Sequence, residues 1–250
     1  MAAKNILARV AITLAAAALF FLIRPDMLLY ARGEHQRLLG TKRLIDDYLH
    51  TAKVKKLQIG AGKNNKVGWL NTDIDMRTEE AASQAYLDAT QPFPFPTRTF
   101  RYVYSEHVFE HVPFAEGMAM LKETYRVLEP GGRVRLATPD LNKFLALFRE
   151  DKTPEMKQYI QDKLQWHDWP VTPDTECFIL NMQLRDWGHQ FVYTPKMLKA
   201  VMEHVGFRDV KEYAVGQSGD AELRGLEGRA HWKEAKANIY ETMIFEGVKP

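Results

Sequence analysis

The stretch Lys55-Lys56-Leu57-Gln58-Ile59-Gly60-Ala61-Gly62 limits what this chain can fold into more than any other. It reads as a short apolar strand running into a turn where neither glycine has a side chain to keep a ligand from the backbone. Trp69-Leu70-Asn71-Thr72 follows as a second strand-like run, ending on Asp73. A strand, a glycine turn and an acid at the tip of the next strand is how an open parallel sheet holds a nucleoside, the acid taking the ribose hydroxyls. Only Lys63 to Gly68 separates the turn from the second strand. A crossover helix needs a dozen or more residues, so a loop or a single turn makes this connection.

Two nucleotide motifs drop out at once. A nicotinamide-dinucleotide fingerprint wants a third glycine three residues after the second, where Asn65 stands, and an acid beyond a full helix. A P-loop wants Gly-Lys-Ser/Thr after the turn, which is absent. With 250 residues, 46% of them hydrophobic and 26% charged, the chain has room for one full-sized domain and its core, plus an appendage. A net charge of +2 is too small to mark nucleic acid as the partner. The single cysteine, Cys177, excludes an internal disulfide framework and a cysteine-based zinc cage, and suits a reducing compartment.

The N-terminus is different in kind. From Asn5 to Ile23 the sequence is apolar apart from Arg9 and Thr13. About twenty such residues cross a bilayer as a helix, and an arginine near its end can snorkel. A cleaved signal peptide would want a small-residue cleavage site where Arg24-Pro25-Asp26 stands. A buried soluble helix competes as well, but Ala15 to Ile23 carries no polar face. The stretch reads best as an uncleaved anchor. Lys4 and Arg9 precede its core, whereas Arg24, Arg32, Arg37, Lys42 and Arg43 follow it, which puts the main domain in the cytosol of a single-pass membrane protein.

Met27 to about Lys53 reads as a linker helix or a lid. Tyr86 to Thr90 reads as a loop leading into Gln91-Pro92-Phe93-Pro94-Phe95-Pro96, whose prolines exclude helix and central strand. Phe100 to Tyr104 has strand propensity and ends at Ser105-Glu106-His107. Between Pro113 and Leu128, the positions Phe114, Met118, Leu121, Tyr125 and Leu128 fall on one helical face, and Pro130-Gly131-Gly132 stops the helix. Arg133 to Thr138 is a strand. Leu141 to Trp187 is helical and aromatic, with Trp166-His167-Asp168-Trp169 between helices. Thr194-Pro195 caps and starts a helix that Gly206 ends. Asp209 to Val215 and Glu241 to Val248 are the last strands. Strands alternating with helices make an α/β layered domain with a mostly parallel sheet.

The order of these features resembles the class I S-adenosylmethionine-dependent methyltransferases, in particular the type 11-like subgroup whose first crossover is shortened. Leu57-Gln58-Ile59-Gly60-Ala61-Gly62 and Gly68-Trp69-Leu70-Asn71-Thr72-Asp73 look like the family's opening. Leu87-Asp88-Ala89, Phe93-Pro94-Phe95-Pro96, Tyr104-Ser105-Glu106-His107-Val108-Phe109-Glu110-His111 and Leu128-Glu129-Pro130-Gly131-Gly132-Arg133 continue it. Gly188-His189-Gln190-Phe191-Val192-Tyr193-Thr194 and Val205-Gly206-Phe207 complete it, so the likeness runs from about Leu57 to the C-terminus.

The resemblance implies a Rossmann-like open, mostly parallel sheet flanked by helices and preceded here by the N-terminal apolar helix. With the apolar N-terminus read as an anchor, the chain falls into three parts: residues 1–24 as anchor, 25–53 as linker helix and, by the resemblance, 54–250 as the S-adenosylmethionine-binding domain. Gly60, Ala61 and Gly62 would pass under the methionine part of the cofactor. Asp73, with Asp75 as the alternative, would take the ribose hydroxyls. Asp88 and the Ala89 N–H would read the adenine, and Ser105 and Glu106 would border the methionine and the transferring methyl. Many family members carry an acid where Gln58 stands.

Methyl transfer asks little of the protein, because the sulfonium already makes the methyl electrophilic. A base is needed only where the acceptor must lose a proton, and His107, His111 and His189 are the candidates, His107 foremost because it follows the strand tip most closely. The aromatic segment before Thr194 and the anchor point to a small-molecule or lipid-like, membrane-associated acceptor rather than nucleic acid. One competitor is His107-Val108-Phe109-Glu110-His111, which matches the H-x-x-E-H order of a zinc metallopeptidase. The methyltransferase order already accounts for these residues, so no metal is expected. Another is a non-catalytic homologue that keeps the cofactor, which turnover would discriminate.

Overall fold

Leu57, Gln58 and Ile59 of strand β1 (Lys56–Ile59) are all buried, the mark of a strand covered on both faces. The computed structural model describes residues 25–165, 174–228 and 235–250. The Asn5 to Ile23 stretch and the Trp166 to Trp169 segment lie outside the described residues. Among the described residues no helix is long and apolar enough to cross a membrane.

Parallel to β1 on one side runs β2 (Leu70–Asp73), then β3 (Ala85–Tyr86); on the other run β4 (Phe100–Glu106) and β5 (Leu128–Pro139). The last strand, β7 (Thr242–Val248), inserts antiparallel between β5 and β6 (Arg208–Tyr213). The sheet is therefore mixed, seven strands in the order β3-β2-β1-β4-β5-β7-β6. Its parallel strands β1, β2 and β4 all end at the same edge, and that edge carries the site. β3 was expected as loop; two residues are too few to leave a pattern. β5 begins at Leu128 rather than Arg133, since the Pro130-Gly131-Gly132 bulge stays in the sheet through Gly131 N–H to the Lys249 carbonyl (2.7 Å).

The two faces of the central sheet differ. Val103, Val134, Leu136 and Phe245 join the main apolar core with Leu121, Leu198 and Met202. These last three come from α3 (Phe114–Val127) and α7 (Pro195–Val205). The register Tyr104–Arg135–Glu246 stands on the opposite face. There the fully buried Arg135 bonds Glu227 (2.7 Å) and Glu246 (2.5 Å).

Two helices precede the sheet, α1 (Pro25–His35) and α2 (Thr41–Thr51), joined by a π-helical turn, with Ile45 of α2 reaching the main core. Helix α3 sits where the period predicts, but its buried residues are Gly117, Met120, Leu121, Thr124 and Val127, while Phe114 is exposed. Met118 and Tyr125 pack partly buried against the main core and Leu128 is buried in it, and Gly117 joins that face against Phe109 and Tyr193, where a Cβ would come within 2.9 Å of the Tyr193 hydroxyl. The region after β5 is helical as expected: α4 (Leu141–Ala146), α5 (Pro154–Leu164) and α6 (Thr175–Arg185). With α8 (Ala235–Glu241) they build a second, smaller core around Phe144, Tyr159, Ile179 and Met182. Thr194 caps α7 by accepting from Met197 N–H, and Gly206 ends it at a positive φ.

Candidate active site

β1 leaves the sheet at Gly60, whose φ of +69° an L side chain rarely adopts. A Cβ there would fall 2.1 Å from Val108 Cγ2, so the glycine also lets the β1 and β4 loops touch. Gly62, at φ +52°, differs: a Cβ on it would meet nothing within 4 Å, because it faces open space. The turn is closed by Ala61 N–H to the Thr72 carbonyl (2.9 Å) and by Asn64 N–H to the Ala61 carbonyl (2.8 Å). Asp73, at the tip of β2, accepts from Gly62 N–H on Oδ2 (2.7 Å) and from Asp75 N–H on Oδ1 (2.8 Å). Asp75 itself is spoken for by Arg77 (2.8 Å), whose hydrogen bond holds its carboxyl below the usual range.

A residue the sequence analysis passed over supports the turn from below. Gln84 is fully buried, and its Nε2 donates to the Gly62 carbonyl (2.7 Å) and to Asn65 Oδ1 (2.8 Å). Gln36, just after α1, donates to the Gln84 carbonyl (2.8 Å), so the segment before the sheet braces the turn. A glutamine in a polar stretch carries no motif that would have singled it out. Gln58 donates to the Asn64 carbonyl (3.2 Å), while its buried Oε1 has no partner among the described residues.

After β3, Asp88 Oδ1 accepts from the Thr90 N–H (2.9 Å) and hydroxyl (2.7 Å), a local turn that fixes the carboxylate. At the end of β4, Glu106 accepts from Gly228 N–H (3.1 Å) on Oε2. These parts wall one cavity of about 620 Å³, lined by Gly60, Ala61, Gly62, Asp73, Asp88, Ala89 and Glu106 among others. Of the expected cofactor residues only Ser105 stands outside the wall: its side chain is buried and its hydroxyl is unpaired among the described residues.

The histidines separate into different roles. His107 sits at φ +52°, buried, with Nδ1 on Glu110 Oε1 (2.9 Å) and Nε2 on Thr242 Oγ1 (3.0 Å). Both ring nitrogens are engaged, and His107 also lines the cavity. Its partner Glu110 is fully buried and also accepts from the Thr138 hydroxyl (2.9 Å). Burial pushes that carboxyl up, but the charge and hydrogen bond of His107 and the charge of His111 outweigh it and hold it at about 2. His111 lines the cavity. The His189 ring stands edge-on to the His111 ring, centroids 4.8 Å apart, with its Nδ1 against the Gln183 carbonyl. Burial lowers the pKa of His189. The peptidase pattern is not built: Phe109–His111 is a single 3₁₀ turn, not an α-helix presenting His107 and His111 to one ion.

A family model described as a methyltransferase domain matches residues 52–212. No curated protein matches the chain. Among solved structures, a SAM-dependent methyltransferase from Archaeoglobus fulgidus is 16% identical with a TM-score of 0.47, the alignment covering 84% of this chain and 93% of that one. An S-adenosylmethionine-dependent methyltransferase from Mesorhizobium loti is 12% identical with a TM-score of 0.48, over 83% and 96%. Phosphoethanolamine N-methyltransferase 2 from Haemonchus contortus, in complex with S-adenosyl-L-methionine, is 14% identical with a TM-score of 0.44, over 90% and 57%. This chain thus spans little more than half of that last protein. The family match takes in more than half of the chain and every strand and turn that walls the cavity, so the chain belongs to the class I S-adenosylmethionine-dependent methyltransferases and S-adenosylmethionine is its cofactor.

Proposed function

We propose that the chain is an active methyltransferase whose acceptor is a small or lipid-like molecule, and that Asn5 to Ile23 tethers it to a membrane with residues 54–250 on the cytosolic side. The observation that carries the reading is the convergence of Gly62, Asp73, Asp88 and Glu106 on one cavity. Its volume of about 620 Å³ falls in the range that encloses a small ligand. Open space in front of Gly62 and two carboxylates spaced along the sheet edge fit an adenosine joined to an amino acid.

In this reading Asp73 takes the ribose hydroxyls, since it stands next to the turn and Asp75 is paired with Arg77. Asp88, whose Oδ1 is held by Thr90, and Ala89 line the same cavity and read the base. Glu106 borders the methionine end. Bound there, the cofactor supplies an electrophilic methyl, and the chain's remaining task is to aim the acceptor in line with it. His111 is the cavity-lining imidazole without a hydrogen-bond partner among the described residues, so it replaces His107 as the group placed to take a proton from the acceptor.

Calorimetric titration of S-adenosylmethionine into the full chain in detergent micelles tests the cofactor reading; no heat from a folded protein would sink it. Incubation with methyl-labelled cofactor and panels of amines, phenols and lipid extracts tests the acceptor. Label in a small or lipid-like product supports the proposal, and binding without any transfer favours a non-catalytic homologue. If the acceptor must be deprotonated, His111→Ala lowers kcat by about 10²-fold or more. The tether is checked by carbonate extraction of membranes, where release into the supernatant would contradict it.

A further inference from the structure

Three groups at the edge of the cavity are not absorbed by the cofactor site. Glu110, His111 and His189 each offer a ligand atom, those atoms lie within 4.8 Å of one another, and His111 lines the cavity wall. We propose that they bind one divalent first-row transition-metal ion, with the remaining coordination positions open toward the cavity.

The donors belong to two distant segments that the fold ties together. The Glu110 carbonyl accepts from Gln190 N–H (2.7 Å) and Phe191 N–H (3.1 Å), so the loop bearing His189 is stitched to the turn bearing Glu110 and His111. His189 is oriented as a ligand. Its Nδ1 faces the Gln183 carbonyl, which can only accept, so Nδ1 carries the proton and Nε2 presents a bare lone pair. A carbonyl behind the far nitrogen is the usual outer support of a metal-bound imidazole. Gln183 is held in turn: its Nε2 donates to the Tyr159 hydroxyl (2.8 Å) and to Glu241 (3.1 Å).

Glu110 has the same kind of backing. His107 bonds one oxygen and Thr138 the other, which fixes the carboxylate plane and leaves each oxygen a second lone pair. His111 completes the set. Its ring has no hydrogen bond among the described residues, yet it stands in a T-shaped contact with the His189 ring, next in sequence to the buried Glu110.

The donor set fixes the class of ion. Two imidazoles and one carboxylate suit zinc, iron(II), cobalt or manganese, and are a poor match for calcium or magnesium. Ligand atoms on an ion about 2.1 Å away sit roughly 3–3.5 Å apart in cis, closer than the widest spacing here. His111, the one donor without a fixed partner, closes the difference by rotating. With three protein ligands, a water or an acceptor oxygen or nitrogen can occupy the open positions, and since an ion takes up the His111 lone pair, its bound water takes over the acid–base part proposed for that imidazole in the metal-free site.

The test uses the untagged full chain in detergent, stripped with a chelator and titrated with cobalt(II). One equivalent, with visible bands that zinc displaces, is expected. His111→Gln and His189→Gln should each weaken that binding by at least about 100-fold. Absence of binding by the stripped wild type, or unchanged binding by folded variants, overturns the site. Zinc X-ray absorption on the wild type needs no variant: two imidazole nitrogens are expected, and none or one refutes the assignment. S-adenosylmethionine titration of the same samples runs independently, so cofactor binding with no metal binding would sink this inference alone.

Discussion

The two ends of the cavity are built by different means. The glycine end is mostly main chain: peptide groups from Gly60 to Asn64, closed by backbone bonds and propped by Asp73 and Gln84. The histidine end is side chain on side chain, with Thr242, His107, Glu110 and Thr138 linked in a buried row and His111 and His189 in front of it. Backbone can approach a large ligand closely and adapt by small dihedral changes. A buried polar row tolerates little change, because each lost partner leaves a desolvated group behind. A cradle that admits and releases a cofactor suits the first means, and a corner that keeps side chains at fixed positions suits the second.

The sharpest way to break this contrast is Glu110→Ala. It leaves the His107 Nδ1 and the Thr138 hydroxyl without their buried acceptor. At about 1–3 kcal/mol for each of the two stranded groups, stability falls by about 2–6 kcal/mol. Urea unfolding measures it, with the m value checked for constancy. If the ends are built separately, the folded fraction still binds S-adenosylmethionine within about fivefold of the wild type. A collapse of cofactor affinity equal to the loss of stability would show that the ends are one unit.

Asp73→Ala should behave in the opposite way. Asp73 is a part-exposed residue, and its partners Gly62 N–H and Asp75 N–H are near solvent, so stability drops by no more than about 1 kcal/mol. Hydrogen bonds to a charged acceptor contribute about 1.5–3 kcal/mol. Cofactor affinity should therefore fall by roughly 10- to 150-fold, read by calorimetry. An affinity unchanged to within threefold would remove Asp73 from the ribose site.

How much of each end was legible in the sequence follows from the same contrast. Gly60, Gly62, Asp73 and Asp88 could be read because one residue suffices to state the need: a positive φ, or a carboxylate at a strand tip. Asp73 and Asp88 come out on the cavity wall. The histidine corner could not be read, since it depends on partners remote in sequence. Nothing near His107 announces that Thr242 will cap its Nε2, and nothing near His111 announces that the loop after Gly188 will bring His189 beside it. His107 was singled out by its distance from the strand tip, but burial and two hydrogen bonds decide its part. The α3 face holds at Met118, Leu121, Tyr125 and Leu128; what hydropathy does not announce is Gly117, drawn to the core by close contact. The antiparallel β7 reads as a strand like any other, because direction in a sheet leaves no local trace.

The smallest effect is the most discriminating. Gly60 and Gly62 share a positive φ, yet a Cβ on Gly60 strikes Val108, and one on Gly62 meets only open space. Gly62→Ala should therefore cost stability only the left-handed backbone penalty, about 1–2 kcal/mol. If that space is where the cofactor lies, the added methyl intrudes on the ligand rather than on the protein. Affinity should then fall by more than about tenfold while the melting temperature moves by only a few degrees. A Gly62→Ala protein that binds S-adenosylmethionine as the wild type does would place the ligand elsewhere in the cavity. The backbone cradle would then be a turn that happens to border it.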